Sequence, residues 1–353
     1  MARVAINGFG RIGRGFFRSA YGRGEIEIVA VNDLTSADNL AYLLKYDSVY
    51  GQFKGQVSSK PASAQGSGEV QQNANGSGGV LVVDGREIPV FAKRDPAELP
   101  WRDMNIDIVV ESTGFFTDPV KARAHITAGA KRVVITAPTK GDGAETILMG
   151  ANEEKFATCD ISSNASCTTN AASPLIGVLQ ESIGIERALL NTTHAYTATQ
   201  AIVDAPAPDD FRRGRAGAHN LAPSSTGAAK ATTLAHTSLA GKFDGIAIRV
   251  PVIAGSMVDV TFVAKRPTSV QEVNDALRAA AASDRWKKVF AVTEEPLVSS
   301  DILGLPYGSI ADLQMTRVVD GTLVKVLAWY DNEAGYSHTL VEHVAAVARF
   351  LAR

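Results

Sequence analysis

The chain has 353 residues, with 35 Lys and Arg against 37 Asp and Glu, for a formal charge of −2. That length predicts two domains with ample core, and the near balance of charge excludes the broad cationic surface of a nucleic-acid or membrane binder. Only two cysteines occur, Cys159 and Cys167, which excludes a disulfide framework; with a strand pattern starting within two residues of Met1 and no apolar run of spanning length, the expectation is a soluble, cytoplasmic protein.

From the N-terminus, Arg3 to Asn7 predicts a short strand, followed by Gly8-Phe9-Gly10-Arg11-Ile12-Gly13 and a helix to about Tyr21. Glycines between strand and helix permit a tight turn and close backbone approach to a pyrophosphate, so Gly8, Phe9, Gly10, Arg11 and Ile12 are candidate cofactor-binding positions. The next strand, Glu25 to Val31, ends in Asn32-Asp33. A carboxylate there can hold the adenosine ribose hydroxyls and repel a 2′-phosphate, which points to NAD over NADP. Asp38 to Tyr46 reads as a helix. Ser58 to Gly79, rich in Ser, Gly, Gln and Asn, reads as a surface insertion. Leu81–Val83 and Glu87–Val90 flank Asp84-Gly85, a hairpin signal. Buried-strand runs at Ile106–Val110 and Lys131–Ile135, separated by a helical stretch from Pro119 to Ala128, predict an α/β, doubly wound, parallel sheet. Thr113, Gly114 and Thr136 follow its strands, where such sheets bind ligands.

The stretch Ser163–Asn170 follows a strand-like segment, Ala157 to Ser162, and leads into a helical run from Ala171 to Ile183. Ser166 suits the N-cap, which places Cys167 at the helix N-terminus. There the helix dipole is expected to acidify the thiol toward the reactive thiolate, and the free amides could hold an oxyanion. Pro174 is expected to kink the helix or delay its regular part. Ala188 to Thr193 reads as a strand ending at His194, and Tyr196 to Ala222 as a long functional or interface loop. Strands at Ile246–Val250, Met257–Lys265, Leu313–Val319 and Thr322–Tyr330 surround a helix from Val270 to Ala282, with Ser269 and Glu272 spaced as a capping box. Asp320-Gly321 predicts a hairpin, and Ser337 to Leu351 a terminal helix. This half predicts an α+β domain with a mainly antiparallel sheet.

Those motifs together resemble the phosphorylating glyceraldehyde-3-phosphate dehydrogenases over nearly the whole chain. The matching segments include Ala5–Arg14, Lys45–Ser48, Glu111–Gly114, Ser163–Asn170, His194–Gln200, Ser225–Lys230, Arg249–Pro251 and Tyr330–Glu333. The resemblance implies a Rossmann domain over 1–166, completed by a terminal helix over 331–353, and a catalytic domain over 167–330. It implies NAD as cofactor, with contacts that also include Arg94 and Asn332. It implies Cys167 as nucleophile, forming a thioester, and His194 as base. Thr197, Thr199 and Arg249 would hold the C3 phosphate of glyceraldehyde 3-phosphate. Ser166, Thr168, Arg213, Thr226 and Gly227 would hold inorganic phosphate. A homotetramer is also implied, with the loop from Ala195 to Ala218 near a neighbouring subunit's cofactor.

The chain departs from the family pattern at Ala171, where a second cysteine is common, at Ala334, where Trp is usual, at Ala254-Gly255-Ser256, and at Ala205, where many NAD-specific relatives carry Leu. Two other readings compete: an erythrose-4-phosphate dehydrogenase, against which Ser225-Thr226-Gly227 argues, and a non-catalytic binding protein, against which the retained Cys167, His194 and Arg249 argue. His125, His219, His236, His338, His343 and Cys159 are expected to be structural.

Overall fold

The computed structural model describes residues 1–61, 78–139, 141–208 and 210–352. The chain divides into two compact units, Met1–Ile147 with Glu154–Asn164 and Leu340–Arg353, and Leu148–Glu153 with Ala165–Thr339.

In the first unit, among the described residues, the strands are β1 (Ala2–Asn7), β2 (Ile26–Asn32), β3 (Val57–Lys60), β4 (Gly79–Val83), β5 (Arg86–Phe91), β6 (Ile108–Glu111), β7 (Arg132–Ile135), β8 (Glu145–Thr146) and β9 (Ile161–Ser163). Their spatial order is β3-β4-β5-β2-β1-β6-β7-β9-β8. The strands from β5 to β8 run parallel, and β3 and β4 add an antiparallel edge. The interior strand β6, Ile108-Val109-Val110-Glu111, is buried throughout, as expected for a parallel strand covered on both faces. Helices α1 (Arg11–Ala20), α2 (Ala37–Lys45), α3 (Pro119–Ala122) and α4 (Ala124–Thr127) make the connections. Chain order reverses at β1, with β2 on one side and β6 on the other, so the crevice at their carboxyl ends is where such a sheet binds ligands. Asp84 and Gly85, at φ 48° and 78°, form the expected β4–β5 turn.

Two expectations shift here. The helical stretch from Pro119 to Ala128 is two short helices. The insertion expected to begin at Ser58 begins later, because Val57–Lys60 pair with β4; residues 62–77 lie outside the described set.

The second unit carries β10 (Ile185–Ala195), β11 (Ala222–Ser225), β12 (Phe243–Val250), β13 (Ser256–Ala264), β14 (Phe290–Thr293), β15 (Ser309–Val319) and β16 (Leu323–Tyr330), in the order β11-β12-β10-β13-β16-β15-β14. Most of these pairs are antiparallel; β10–β12 and β14–β15 are parallel. One face is covered by α5 (Cys167–Ser182), α6 (Ala228–Ala235) and α7 (Val270–Ala282). Along β10, Ala188, Leu190, Thr192 and His194 are buried while Leu189 is exposed. The two-residue period of a strand therefore turns His194 to the covered side.

Helix α5 starts at Cys167, where the Ser166 cap places it and ahead of the periodic run from Ala171, and runs through Pro174 without a break. Pro174 sits beyond the first turn, so its missing N–H forfeits one intrahelical bond at most, and burial of Ala171, Leu175 and Leu179 holds the helix regular. Ser269 caps α7 by accepting from Glu272 N at 3.2 Å. The reciprocal arm of the capping box is replaced, because the Glu272 carboxylate takes Thr268 Oγ1 and Arg266. The terminal helix α8 (Ala334–Leu351) also starts early, since Asp331 Oδ1 accepts the Glu333 and Ala334 amides. Its residues to Thr339 group with the second unit and those from Leu340 with the first. There His343 meets Ser162 Oγ at 2.8 Å and the Phe156 ring at 4.8 Å.

Candidate active site

The candidate nucleophile, Cys167, sits where a strained turn meets a helix start. Ala165 is held at φ 53°, fully buried, a left-handed conformation that costs a residue with a Cβ of order 1 kcal/mol or more. Its carbonyl accepts from the Tyr336 hydroxyl at 3.1 Å. Ser166 is extended and caps α5 by accepting from Thr169 N at 3.1 Å. Cys167 is thus the first helical residue, with its own amide and that of Thr168 beside the sulfur.

Cys167 Sγ lies 3.3 Å from His194 Nε2. The register of β10 and β12 sets Arg249 directly beside His194, and in parallel pairing both side chains fall on the helix-covered face. Arg249 Nη1 is 2.7 Å from His194 Nδ1, and the Ala195 carbonyl is 2.6 Å from the same nitrogen. Nδ1 satisfies one of these at a time: it accepts from the guanidinium, or it donates to the carbonyl.

The expected acidification of Cys167 is not what the resting site shows. Burial pushes the Cys167 thiol up, and it outweighs the Arg249 charge and the Thr168 contacts that favour the thiolate. The side chain keeps part of its surface open, yet dense packing around the sulfur strips away the water a thiolate needs. His194 is pushed down to about 3, first by burial and then by Arg249. Both shifts favour a thiol facing a neutral imidazole.

Tyr330, at the end of β16, is a residue whose structural part sequence reasoning missed. Its hydroxyl bridges Thr168 Oγ1 at 2.9 Å and Thr192 Oγ1 at 2.8 Å, and its ring stands edge-on to His194 at 5.8 Å. Its place in the Tyr330-Asp331-Asn332-Glu333 match was the available signal. The hydroxyl is pushed above its ordinary range by burial and then by Cys167, which keeps it a neutral hydrogen-bonding post.

The candidate phosphate residues gather in the same unit. Thr197 and Thr199 hydroxyls are 3.0 Å apart. Arg249 has its own basicity lowered, chiefly by burial and further by the like charge of Arg213. Among the described residues, Arg249 Nε and Arg213 Nε are buried without a hydrogen-bond partner, Arg213 Nε lying 3.9 Å from Asp210 Oδ2. Neighbouring cations with orphaned donors are an arrangement that an anion completes. Thr226 Oγ1 accepts from Ala228 N at 3.2 Å, and Gly227 precedes α6. The Ser166 and Thr168 hydroxyls are already engaged, by the helix cap and by Tyr330.

In the first unit a groove of about 490 Å³ opens at the ends of β1 and β6, lined by Gly8, Gly10, Asp33, Arg94 and Thr113 among others. A Cβ on Gly8, at φ +90°, would sit 2.6 Å from Thr113 N, while one on Gly10 would meet nothing. The first glycine is required by the turn, and the second leaves open space where a ligand can approach the backbone. Asp33 accepts from Phe9 N at 2.7 Å and Thr35 N at 3.2 Å. Ile12 lies in the first turn of α1. Arg11 turns its side chain to Asp47 and over the Tyr50 ring, so at that position the backbone of α1 is what faces a ligand. Gly114 is at φ +77°, and Thr136 N donates to the Glu111 carbonyl. Asn332 belongs to the second unit, where its Oδ1 accepts from Gly255 N and Ser256 Oγ. The groove's glycines, carboxylate and open helix start fit a dinucleotide. Among the described residues no His, Cys, Asp and Glu group could hold a metal ion.

Cys159 is free, and burial pushes its thiol up to about 11. His236 is held down to about 4, chiefly by burial, against Ser173 Oγ at 2.9 Å.

Comparison with known proteins agrees with this arrangement. Residues 2–119 match the family described as "Glyceraldehyde 3-phosphate dehydrogenase, NAD binding domain", and residues 166–332 match "Glyceraldehyde 3-phosphate dehydrogenase, C-terminal domain". The chain is 47% identical to glyceraldehyde-3-phosphate dehydrogenase of Geobacillus stearothermophilus, over 98% of both chains. It is 46% identical to glyceraldehyde-3-phosphate dehydrogenase 1 of Bacillus subtilis, again over 98% of both, and 47% to glyceraldehyde-3-phosphate dehydrogenase 2 of Streptomyces avermitilis, over 96%. With both family domains present in order and these relatives matched nearly end to end, the chain belongs to the glyceraldehyde-3-phosphate dehydrogenase family.

Proposed function

We propose that this protein oxidises D-glyceraldehyde 3-phosphate to 1,3-bisphosphoglycerate, using NAD and inorganic phosphate, through a thioester on Cys167. The observation that carries the reading is the 3.3 Å contact of Cys167 Sγ with His194 Nε2, beside Arg249. The thiol attacks the aldehyde carbon; a C–S bond forms, and the carbonyl oxygen takes up the thiol proton by way of His194. First-turn amides of α5 stabilise charge on that oxygen. His194 then takes the hydroxyl proton as hydride leaves the carbon, and the product is a thioester. NAD supplies the hydride acceptor. An oxygen of inorganic phosphate attacks the thioester carbonyl, the C–S bond breaks, and the thiolate leaves an acyl phosphate behind.

Gly8, Phe9, Gly10, Arg11, Ile12, Asp33, Arg94, Thr113, Gly114, Thr136 and Asn332 would hold the cofactor. Thr197, Thr199 and Arg249 would hold the C3 phosphate, and Ser166, Thr168, Arg213, Thr226 and Gly227 the attacking phosphate. A domain over 1–166 with 331–353 would serve the cofactor, and 167–330 the chemistry. The assembly we favour is a homotetramer: the strands of the second sheet expose Leu189, Ile246 and Leu323, apolar surface that a subunit contact would bury. A cytoplasmic setting accords with two free cysteines. No described helix is long and apolar enough to cross a membrane.

A steady-state assay of NADH formation tests the reading, run with and without phosphate and with each cofactor. Phosphate-dependent NADH formation from glyceraldehyde 3-phosphate is expected, and sustained turnover without phosphate would overturn it.

A further inference from the structure

Beneath the dinucleotide groove lies a buried polar chain that the chemistry above does not use. Trp101, His125, Asn7 and Glu111 are each at most 2% exposed. Trp101 Nε1 donates to His125 Nδ1 at 3.0 Å. An indole N–H can only donate, so Nδ1 carries the lone pair and the ring proton sits on Nε2. That Nε2 points at Glu111 Oε2, 3.0 Å away. Asn7 Nδ2 converges on the same oxygen at 2.5 Å, its orientation set by Asn32, which donates to Asn7 Oδ1 at 2.7 Å. The other carboxylate oxygen accepts both the amide, at 2.8 Å, and the hydroxyl of Thr113. Four polar contacts thus converge on the two carboxylate oxygens of Glu111.

Both ends of the chain surface in the groove. Thr113 lines it and orders the loop beyond by accepting Phe115 N at 3.0 Å. Asn7 and Asn32 line it too, and Asn32 exchanges two hydrogen bonds with the Lys93 backbone. The Asn32 carbonyl accepts the Gly8 amide at 2.8 Å. A single buried carboxylate thus ties the Gly8 turn, the β6 loop and the Lys93 loop; Trp101 sets the bond direction at His125, and the Lys93 backbone sets it at Asn32 and Asn7.

We infer that Glu111 is a positioning residue for the cofactor, with Trp101 and His125 acting as a tautomer lock that keeps its acceptor geometry aimed at Thr113 and Asn7. The inference rests on the groove being the NAD site.

Glu111→Gln keeps size and shape but turns one acceptor into a donor. With its oxygen kept on the Thr113 amide, which can only donate, the Gln nitrogen faces the Asn7 and His125 donors, and His125 cannot change tautomer while Trp101 donates to Nδ1. One such conflict should weaken NAD binding roughly tenfold to a hundredfold, raising KM for NAD far more than it changes kcat at saturation. Trp101→Phe alone should stay within a few-fold of wild type, roughly the worth of one neutral hydrogen bond. In the double variant Trp101→Phe/Glu111→Gln the lock is gone, His125 can accept at Nε2, and NAD affinity should recover most of the loss. A merely structural role predicts the reverse, that two buried substitutions add. The inference is overturned if the double variant binds NAD no better than Glu111→Gln, or if Glu111→Gln binds like wild type. Should Glu111→Gln not fold, wild-type hydrogen exchange decides: the Trp101 indole N–H should slow on NAD binding more than that of Trp286, and equal slowing overturns the idea. Asp33→Ala in parallel separates the two readings. If it too leaves NAD binding intact, the groove assignment has failed, whereas a loss there with none in Glu111→Gln removes only the present inference.

Discussion

Arg249 Nη1 lies 2.7 Å from His194 Nδ1, on parallel strands whose register pairs the two positions. A guanidinium at that distance opposes a second positive charge on the imidazole, and burial opposes it further, so His194 is held at about 3. Arg249→Gln removes the smaller of these causes. The His194 pKa should therefore rise, but stop short of the ordinary 6.5, because burial remains. An NMR titration of His194 in both forms measures this. A pKa that stays put would mean that the arginine does not sit on the ring in solution. If Arg249 holds the substrate phosphate as proposed, that phosphate would draw the guanidinium's charge onto itself and free Nδ1 to donate to the Ala195 carbonyl.

Cys167→Ser should abolish dehydrogenase activity and leave NAD binding intact, because a hydroxyl is a far weaker acid than even a buried thiol. For His194→Asn the expected loss in kcat is roughly 10²–10⁴-fold, the usual worth of a positioned acid–base group. Alkylation of Cys167 should slow as well, as the thiol proton loses its acceptor. Retention of a tenth of wild-type turnover in the serine variant would end the nucleophile assignment.

His343 yields a stability prediction. It is fully buried, with a pKa held at about 3, chiefly by burial, against about 6.5 in an unfolded chain. Above pH 6.5 both states leave the ring neutral and it contributes no pH dependence. As pH falls from 6.5 toward 3 only the unfolded state binds the proton, so stability is lost, approaching about 1.4 kcal/mol per pH unit. His343→Gln should flatten the acid limb of a denaturant-midpoint profile over that window. A profile of unchanged slope would show that His343 is reachable by protons in the folded protein.

Fold class was legible because it rests on local pattern. Ile106–Val110 reads as a buried strand, found at Ile108–Glu111, and Asp84-Gly85 and Asp320-Gly321 take the positive φ values their turns require. The start of α5 at Cys167 was legible in part: Ser166 announced the cap, but Pro174 argued for a delay that tertiary burial overrides. What the residues could not show was register and depth. Nothing near Arg249 says that it pairs with His194 across two strands 55 positions apart in sequence. Acidification of Cys167 follows from the helix terminus alone, and burial, a property of the folded whole, reverses its sign. His125 and Trp101 look like ordinary core residues until their hydrogen-bond directions are traced to Glu111.

Replacing residues 62–77 with a short Gly-Ser turn should leave fold and activity nearly unchanged. Their composition in Ser, Gly, Gln, Asn and Ala cannot bury a core. The flanking strands β3 and β4 are already paired from Val57–Val83 to Lys60–Val80, so a shorter connection meets ends that lie side by side, and loop length itself changes closure entropy little. Thermal unfolding and kcat/KM of the shortened protein decide it; loss of folding, or a sharp rise in KM, would show that the segment contributes contacts of its own.

Cofactor choice should rest on Asp33. Its carboxylate accepts Phe9 N and Thr35 N, which fixes it at the groove wall beside the Gly8 turn. A 2′-phosphate placed there would bring like charges together. Arg94 and Lys93 also line the groove, but Lys93 is paired with Glu98 at 3.4 Å, and an exposed Arg94 is screened by water. Ala205, where many NAD-specific relatives carry Leu, adds space without charge, the weaker effect. NAD should therefore be preferred in the wild type, and the preference should narrow substantially in Asp33→Ala as NADP gains and NAD loses its ribose acceptor. Measuring kcat/KM for both cofactors on both proteins decides the matter. A wild-type preference for NADP would mean that a cation, Arg94 being the nearest candidate in the groove, reaches the ribose and outweighs the carboxylate.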